Sequence, residues 1–337
     1  MTTGQKALSF FLARYESTKK YCVVMSLEII DPADLIDRHI GPLTILFGYE
    51  NGKYPHGNSL LIRGSNQAVI VDPCLGVVAR KERLPLVDAV FHSHTHEDHI
   101  AGTHLFRDVP WYAHELDAQG LETIEDLMEI YGLEGATHDA FKEEIETRFF
   151  YPHDGSEVTV FRDGDEFDFG GVKLRVLHTP GHTRGHCCFV VSWGDSPEDT
   201  LVFLGDIELT GFGPYYGDAW SDLEDFERSI ERLRDVDAGW WLTFHHKGLI
   251  ESRDQFLTML DKFGAMIMTR ESNLLAYIAE PRTMDEIIAH RFVYRPGQTG
   301  FMVDEVERRS MGMHLDRLVR SGAVRFQSNT YVVQENF

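Results

Sequence analysis

His92-Ser93-His94-Thr95-His96-Glu97-Asp98-His99 sets four imidazoles and two carboxylates in eight consecutive positions. Imidazole nitrogen and carboxylate oxygen together form the donor set of a divalent transition-metal ion. The stretch follows Leu86-Val87-Asp88-Ala89-Val90-Phe91, an apolar run that reads as a buried strand delivering its C-terminal end to a site. His-rich tags and metal-scavenging tracts belong at termini, not behind a core strand. The spacing His94-x-His96-x-Asp98-His99 therefore reads as part of a metal centre.

Upstream, Thr44–Gly48, Asn58–Ile62 and Gln67–Asp72 have strand character, with Gly64-Ser65-Asn66 as the turn between the last two. Downstream, Leu116–Tyr131 and His138–Arg148 read as polar, acidic surface helices. Strands resume at Val158–Phe161, Val172–Leu177, Phe189–Trp193 and Leu201–Leu204. A helix over Asp222–Val236 precedes a strand at Trp240–Phe244. Strands followed by helix, twice over, predict two sheets flanked by helices.

Three further constellations stand at predicted strand ends. His178-Thr179-Pro180-Gly181-His182 follows Val176-Leu177, and its proline and glycine enforce a tight loop from which His182 projects. Gly205-Asp206 follows Leu201–Leu204, and His245-His246-Lys247 follows Trp240–Phe244. Each is weak alone; as an ordered series with the first cluster they are specific.

This series resembles the metallo-β-lactamase superfamily over about residues 40 to 260, through Ser93–His99, Thr179–Thr183, Leu204–Asp206 and Phe244–His246. The resemblance implies an α+β fold, the αββα sandwich, with the site along one edge of both sheets. It also implies that His94, His96 and His182 hold one divalent cation, that Asp98, His99 and His245 hold another, and that Asp206 bridges them. Either His245 or His246 is open to the last role, and the offset from the strand favours His245. Zn²⁺ is the expected metal, although Fe and Mn accept the same donors. Two cations about 3.5–4 Å apart lower the pKa of a shared water, so that a bridging hydroxide attacks a carbonyl with Asp98 orienting it. The expected activity is hydrolysis of a small ester, thioester or lactone. Alternatives on the same scaffold are a phosphodiesterase or ribonuclease and a mononuclear iron, persulfide dioxygenase-like enzyme. Asp72, His186 and His246 are expected to support the ligands, and Tyr215 and Tyr216 to line the substrate pocket.

Residues 1–265, with about 40 N-terminal residues as an extension, read as the catalytic part; residues 266–337 read as a small helical domain. In the latter, Met284–Arg291 behind Thr283 and Val303–Arg320 are expected helices, and Val324–Phe326 with Thr330–Val333 an expected hairpin. Met311, His314, Leu315 and Leu318 share a helix face there. This pattern resembles the winged-helix tail of a lactamase-beta-like subgroup whose mammalian members include a ribonuclease.

Composition limits the partners. Net charge is −22, and since residues 266–337 hold nine arginines, no lysine and nine acids, all of it lies in the first 265. Such a field repels nucleic acid and does not oppose a neutral small-molecule substrate. A homodimer is compatible with the tail. No run reaches the roughly 18 apolar residues of a membrane span, no secretory signal is read at the start, and four irregularly spaced cysteines (Cys22, Cys74, Cys187, Cys188) form no disulfide framework. A cytoplasmic location is expected.

Overall fold

The computed structural model describes residues 35–80, 83, 84, 86–152 and 158–334; the expected N-terminal extension and Cys22 fall almost entirely outside them. Seven strands form the first sheet in sequential order: β1 (Asp37–Ile40), β2 (Leu43–Leu46), β3 (Ser59–Arg63), β4 (Ala68–Val71), β5 (Ala89–Phe91), β6 (Trp111–His114) and β7 (Val158–Phe161). Pairing is antiparallel through β4 and parallel from β4 to β7. The second sheet runs β8 (Glu166–Asp168), β9 (Lys173–His178), β10 (Cys187–Ser192), β11 (Thr200–Phe203), β12 (Trp240–Leu242) and β13 (Leu249–Ile250), antiparallel except between β11 and β12.

Side-chain alternation shows why the second sheet is covered on both faces. Leu174, Val176, Cys187, Phe189, Val191, Leu201 and Phe203 point into the layer between the sheets with Leu60, Ile62 and Phe91. Leu177, Cys188, Val190, Val202 and Leu204 point outward, under Phe226, Ile230, Phe256, Leu260 and Phe263. Period-two patterning with both faces apolar requires a helix layer outside. Among the helices α1 (Tyr49–Gly52), α2 (Leu75–Ala79), α3 (Glu97–Ile100), α4 (Ile124–Tyr131), α5 (Gly135–Arg148), α6 (Leu223–Arg234) and α7 (Arg253–Tyr277), the last two form that layer. Helices α4 and α5 pack Leu127, Ile130, Phe141 and Ile145 beside Ala113 of the first sheet. This is the αββα sandwich.

Two expectations need correction. The apolar run before the His cluster becomes strand only at Ala89, and Leu86 is 93% exposed. The helix expected over Leu116–Tyr131 is interrupted, because Thr123 accepts a hydrogen bond from the Asp126 N–H and starts α4 afresh.

Helix α7 runs unbroken through residue 265, where the sequence reading divides the chain. Its first half packs Phe256, Leu260, Phe263 and Ile267 on the second sheet. Its end packs Leu274 into a small core with Ile287 of α8 (Met284–His290), Met311, Leu315 and Leu318 of α9 (Val303–Arg320), and Val324 of the hairpin β14 (Val324–Gln327) and β15 (Thr330–Val333). Thr283 and Glu286 cap α8 reciprocally. Cys74, Cys187 and Cys188 are buried and form no disulfide, and no described helix is long and apolar enough to cross a membrane.

Candidate metal centre

Strands β4 and β5 lie parallel, and their C-terminal ends fix the first half of the site. Asp72, just past β4, adopts φ 46°, a left-handed conformation that non-glycine residues enter rarely. Its carboxylate accepts three hydrogen bonds: from the Ser93 N–H (2.7 Å), the Ser93 hydroxyl (2.5 Å) and His99 Nδ1 (2.7 Å). The chain leaving β5 passes through His94 to His96, which occupies the N-cap of α3, so Asp98 and His99 emerge from that helix's first turn. His92 does not join them. It donates from Nδ1 to the Tyr112 carbonyl and accepts from Thr103, and burial lowers its pKa to about 4.

The other half comes from the second sheet. Beyond β9, Gly181 has φ 126° and a Cβ there would lie 2.4 Å from the Phe226 backbone, so only glycine makes this approach. His182 follows. Asp117 clamps the loop by accepting from the Thr183 hydroxyl (2.5 Å) and the Gly185 N–H (2.7 Å), while its own carbonyl accepts from Thr95 beside the first cluster. Beyond β11, Asp206 donates its backbone N–H to His186 Nε2 at 3.1 Å, and His186 Nδ1 donates to the Thr179 carbonyl. Burial lowers the His186 pKa to about 3, which keeps the ring neutral and able to accept that bond. Beyond β12, His245 Nδ1 donates to the carbonyls of Gly52 and His56, at 2.6 and 2.9 Å.

The side chains converge on two adjacent points. His96 Nδ1 lies 3.1 Å from His94 Nε2 and 2.9 Å from His182 Nε2. Asp206 Oδ2 is 3.2 Å from His182 Nε2, whereas its Oδ1 is 2.9 Å from His99 Nε2 and 3.8 Å from His245 Nε2. Asp98 Oδ2 is 2.9 Å from His245 Nε2, and among the described residues no donor meets this buried oxygen in hydrogen-bond geometry. On the far side of the rings, His99 donates to Asp72, His182 to the Tyr215 carbonyl and His245 to backbone carbonyls. His96 Nε2 faces the Asp218 carboxylate at 3.3 Å. Outer partners of this kind fix the tautomer that aims a lone pair inward.

The electrostatics favour positive charge at this spot. Burial opposes charge on His99 and His245, yet the Asp206 and Asp98 carboxylates outweigh it there, raising the pKa of His245 to about 10. Against the same penalty, His99 and His245 hold the Asp206 carboxyl well below the usual carboxylate range. Divalent cations answer the same demand, releasing protons as they bind. The convergent nitrogens, the donor-less Asp98 oxygen and the oxygen–nitrogen chemistry all fit such ions. His94, His96, His182 and Asp206 can hold one; Asp98, His99 and His245 can hold another.

Two expected residues lie elsewhere. His246 takes φ 63° and turns outward, its Nε2 4.0 Å from Glu208, so His245 is the ring that faces Asp98. Tyr216 points away from the cluster and its hydroxyl sits 3.0 Å from His314 Nε2 in α9; only Tyr215 borders the site, with its ring 5.7 Å from that of His182. Sequence reasoning missed Asp117, Asp218 and Glu208, which carry no spacing signal. Glu97, inside the first cluster, accepts from two tyrosine hydroxyls, Tyr54 and Tyr131. Glu208 groups with Asp206 and His245.

Residues 54–262 match the profile of the metallo-beta-lactamase superfamily. The chain belongs to that superfamily. An uncharacterized protein of Mycobacterium tuberculosis is 34% identical over 153 residues, 43% of this chain and 63% of its own length. The chain thus spans less than two thirds of that relative's length. A human protein named acyl-coenzyme A thioesterase is 27% identical over 221 residues, 57% of this chain and 71% of its own. Among solved structures, a beta-lactamase domain protein from Burkholderia ambifaria shares the fold with a TM-score of 0.68 at 17% identity, covering 90% of this chain and 95% of that one.

Proposed function

We propose that the chain is a dinuclear metal-dependent hydrolase of acyl thioesters, with His94, His96 and His182 on one cation, Asp98, His99 and His245 on the other, and Asp206 between them. The observation that carries this reading is the division of the Asp206 carboxylate, one oxygen toward His182 and the other toward His99 and His245. The thioester preference is supported by the thioesterase relatives in human and cattle. Zinc suits the donor set best. Bound there, divalent cations supply Lewis acidity and a water-derived nucleophile near neutral pH.

The chain's own groups complete the chemistry. The Asp98 carboxylate, buried at the centre, would accept a hydrogen bond from a water held there and so orient it. The carbonyls of Gly52 and His56 keep the His245 ring turned toward Asp98, and His186 pins the backbone at Asp206. Ser93, Cys187 and Cys188 do not compete as nucleophiles. Ser93 is committed to Asp72, and burial raises the Cys187 thiol well above its ordinary value and the Cys188 thiol to about 12.

The test is a substrate panel on zinc-loaded protein: an acyl-coenzyme A thioester, an aryl ester, a lactone and an aryl phosphodiester. The expected result is thioester hydrolysis with the highest kcat/KM, lost on chelation and restored by zinc. A preference for the phosphodiester, or turnover indifferent to chelator, overturns the reading.

A further inference from the structure

Helix α9 lies outside the stretch that matches the superfamily, which ends at residue 262, yet one of its faces is docked on the groups that hold His96. Val306 packs where Gly217 leaves room, since a Cβ on Gly217 would lie 2.6 Å from Val306 Cγ1. Ser310 donates to the Tyr216 carbonyl at 3.1 Å, and His314 meets the Tyr216 hydroxyl. These positions, four residues apart, form a single stripe along the helix.

Arg309 lies on the edge of that stripe. Its guanidinium donates to three backbone carbonyls: Tyr131 at 2.6 Å, Gly132, and Gly217 at 3.3 Å. Tyr131 and Gly132 are the C-terminal end of α4, where the helix leaves unpaired carbonyls that favour a cation. Both anchored segments lead to His96. The Tyr131 ring stacks on His96 with centroids 5.1 Å apart, and its hydroxyl holds Glu97 next in sequence. Asp218, adjacent to the anchored Gly217, presents its carboxylate to His96 Nε2 at 3.3 Å and accepts from the Tyr215 hydroxyl.

We infer that Arg309 is a positioning residue of the metal centre: from the C-terminal segment it ties the end of α4 to the 215–220 loop and thereby fixes the two partners, Tyr131 and Asp218, that orient His96. The inference rests on the proposed metal centre. A fixed outer partner keeps a ligand's lone pair aimed, and removing one typically costs 10–100-fold in metal affinity. A lysine, with a point charge in place of a planar fork, reaches fewer of the three carbonyls.

The experiment compares zinc affinity, by competition with a chromophoric chelator, in the wild type, Arg309→Met, Arg309→Lys and the neighbouring surface variant Arg308→Met. Thermal melting of the metal-free proteins monitors folding. The expected result is a roughly 10-fold or greater loss of affinity at one of two sites in Arg309→Met, a smaller loss in Arg309→Lys and none in Arg308→Met. Because Arg309 acts in part through Asp218, Asp218→Asn is expected to lose affinity too, and Arg309→Lys to cost less in that background than in the wild type. Unchanged affinity in a folded Arg309→Met overturns the inference. If Arg309→Met does not fold, full additivity of Arg309→Lys and Asp218→Asn overturns it instead. A wild type that binds no zinc refutes the metal centre itself, a different failure.

Discussion

His245 and His246 are neighbours in sequence with opposite surroundings. His245 is buried against Asp98, with its outer nitrogen on two carbonyls, whereas the His246 side chain is 37% exposed, its Nε2 4.0 Å from Glu208. Replacement by alanine is therefore expected to separate them: His245→Ala should drop the metal content of the purified protein from two ions to about one, and His246→Ala should leave it unchanged. Elemental analysis decides, and equal retention in both variants contradicts the assignment. At this scale the sequence was readable for ligands and poor for their supports. His94, His96, Asp98, His99, His182 and Asp206 each announce themselves by residue type at a strand end. Asp117 and Asp218 are single acids among 54 acidic side chains, and only the folded chain brings them to the loops they hold. Tyr215 and Tyr216 show the same limit. Adjacent side chains diverge, so a stretch near the site sends one ring toward it and the other into a core.

Between elements, the two sheets meet through histidines as well as hydrophobes. His114, ending β6 in one sheet, stacks on His178, ending β9 in the other, at 4.1 Å and nearly parallel. His114 Nδ1 accepts from the Leu116 N–H, a bond available only to the neutral ring. Burial, and then the neighbouring His178, lowers its pKa from 6.5 to about 4. A histidine with a depressed folded-state pKa contributes stability that is complete above pH 6.5 and is lost as pH falls toward 4. Urea midpoints measured across that window are expected to fall less steeply for His114→Gln than for the wild type; parallel curves would discard this account. Elements were legible where apolar alternation is strong, as in β9, β10 and β11. They were obscure where tertiary contacts override pattern. β8 is a strand of Glu166, Phe167 and Asp168, with both acids exposed, held by pairing with β9 and by the Phe167 ring against Phe91 and Tyr112 of the other sheet. The break before α4 depends on one hydroxyl of Thr123, within a stretch whose spacing reads as continuous helix.

At the scale of the whole molecule, α7 decides how many parts the chain has. Its 25 residues make a rod of about 37 Å. Phe256 to Ile267 on that rod belong to the core over the second sheet, and Leu274 belongs to the C-terminal core. Arg270, buried midway, donates to the carbonyls of Phe212 and Pro214, and Arg317 of α9 bonds both Glu271 and Glu227. A composition shift at residue 265 is visible in the sequence; a helix crossing it is not, because helical spacing carries no mark of which core each turn serves. One cooperative unfolding transition is expected, with calorimetric and van't Hoff enthalpies equal. A separate, earlier melting of the C-terminal segment would show that α7 does not couple the two cores. The dispersal of the site over both sheets bears on how the protein comes into being. During synthesis the His92–His99 stretch leaves the ribosome well before His182, Asp206 and His245, and Arg309 is later still. The nascent chain thus displays an unselective chelator long before it owns a cavity able to discriminate among ions. On the proposed metal centre, selective loading falls to the finished fold.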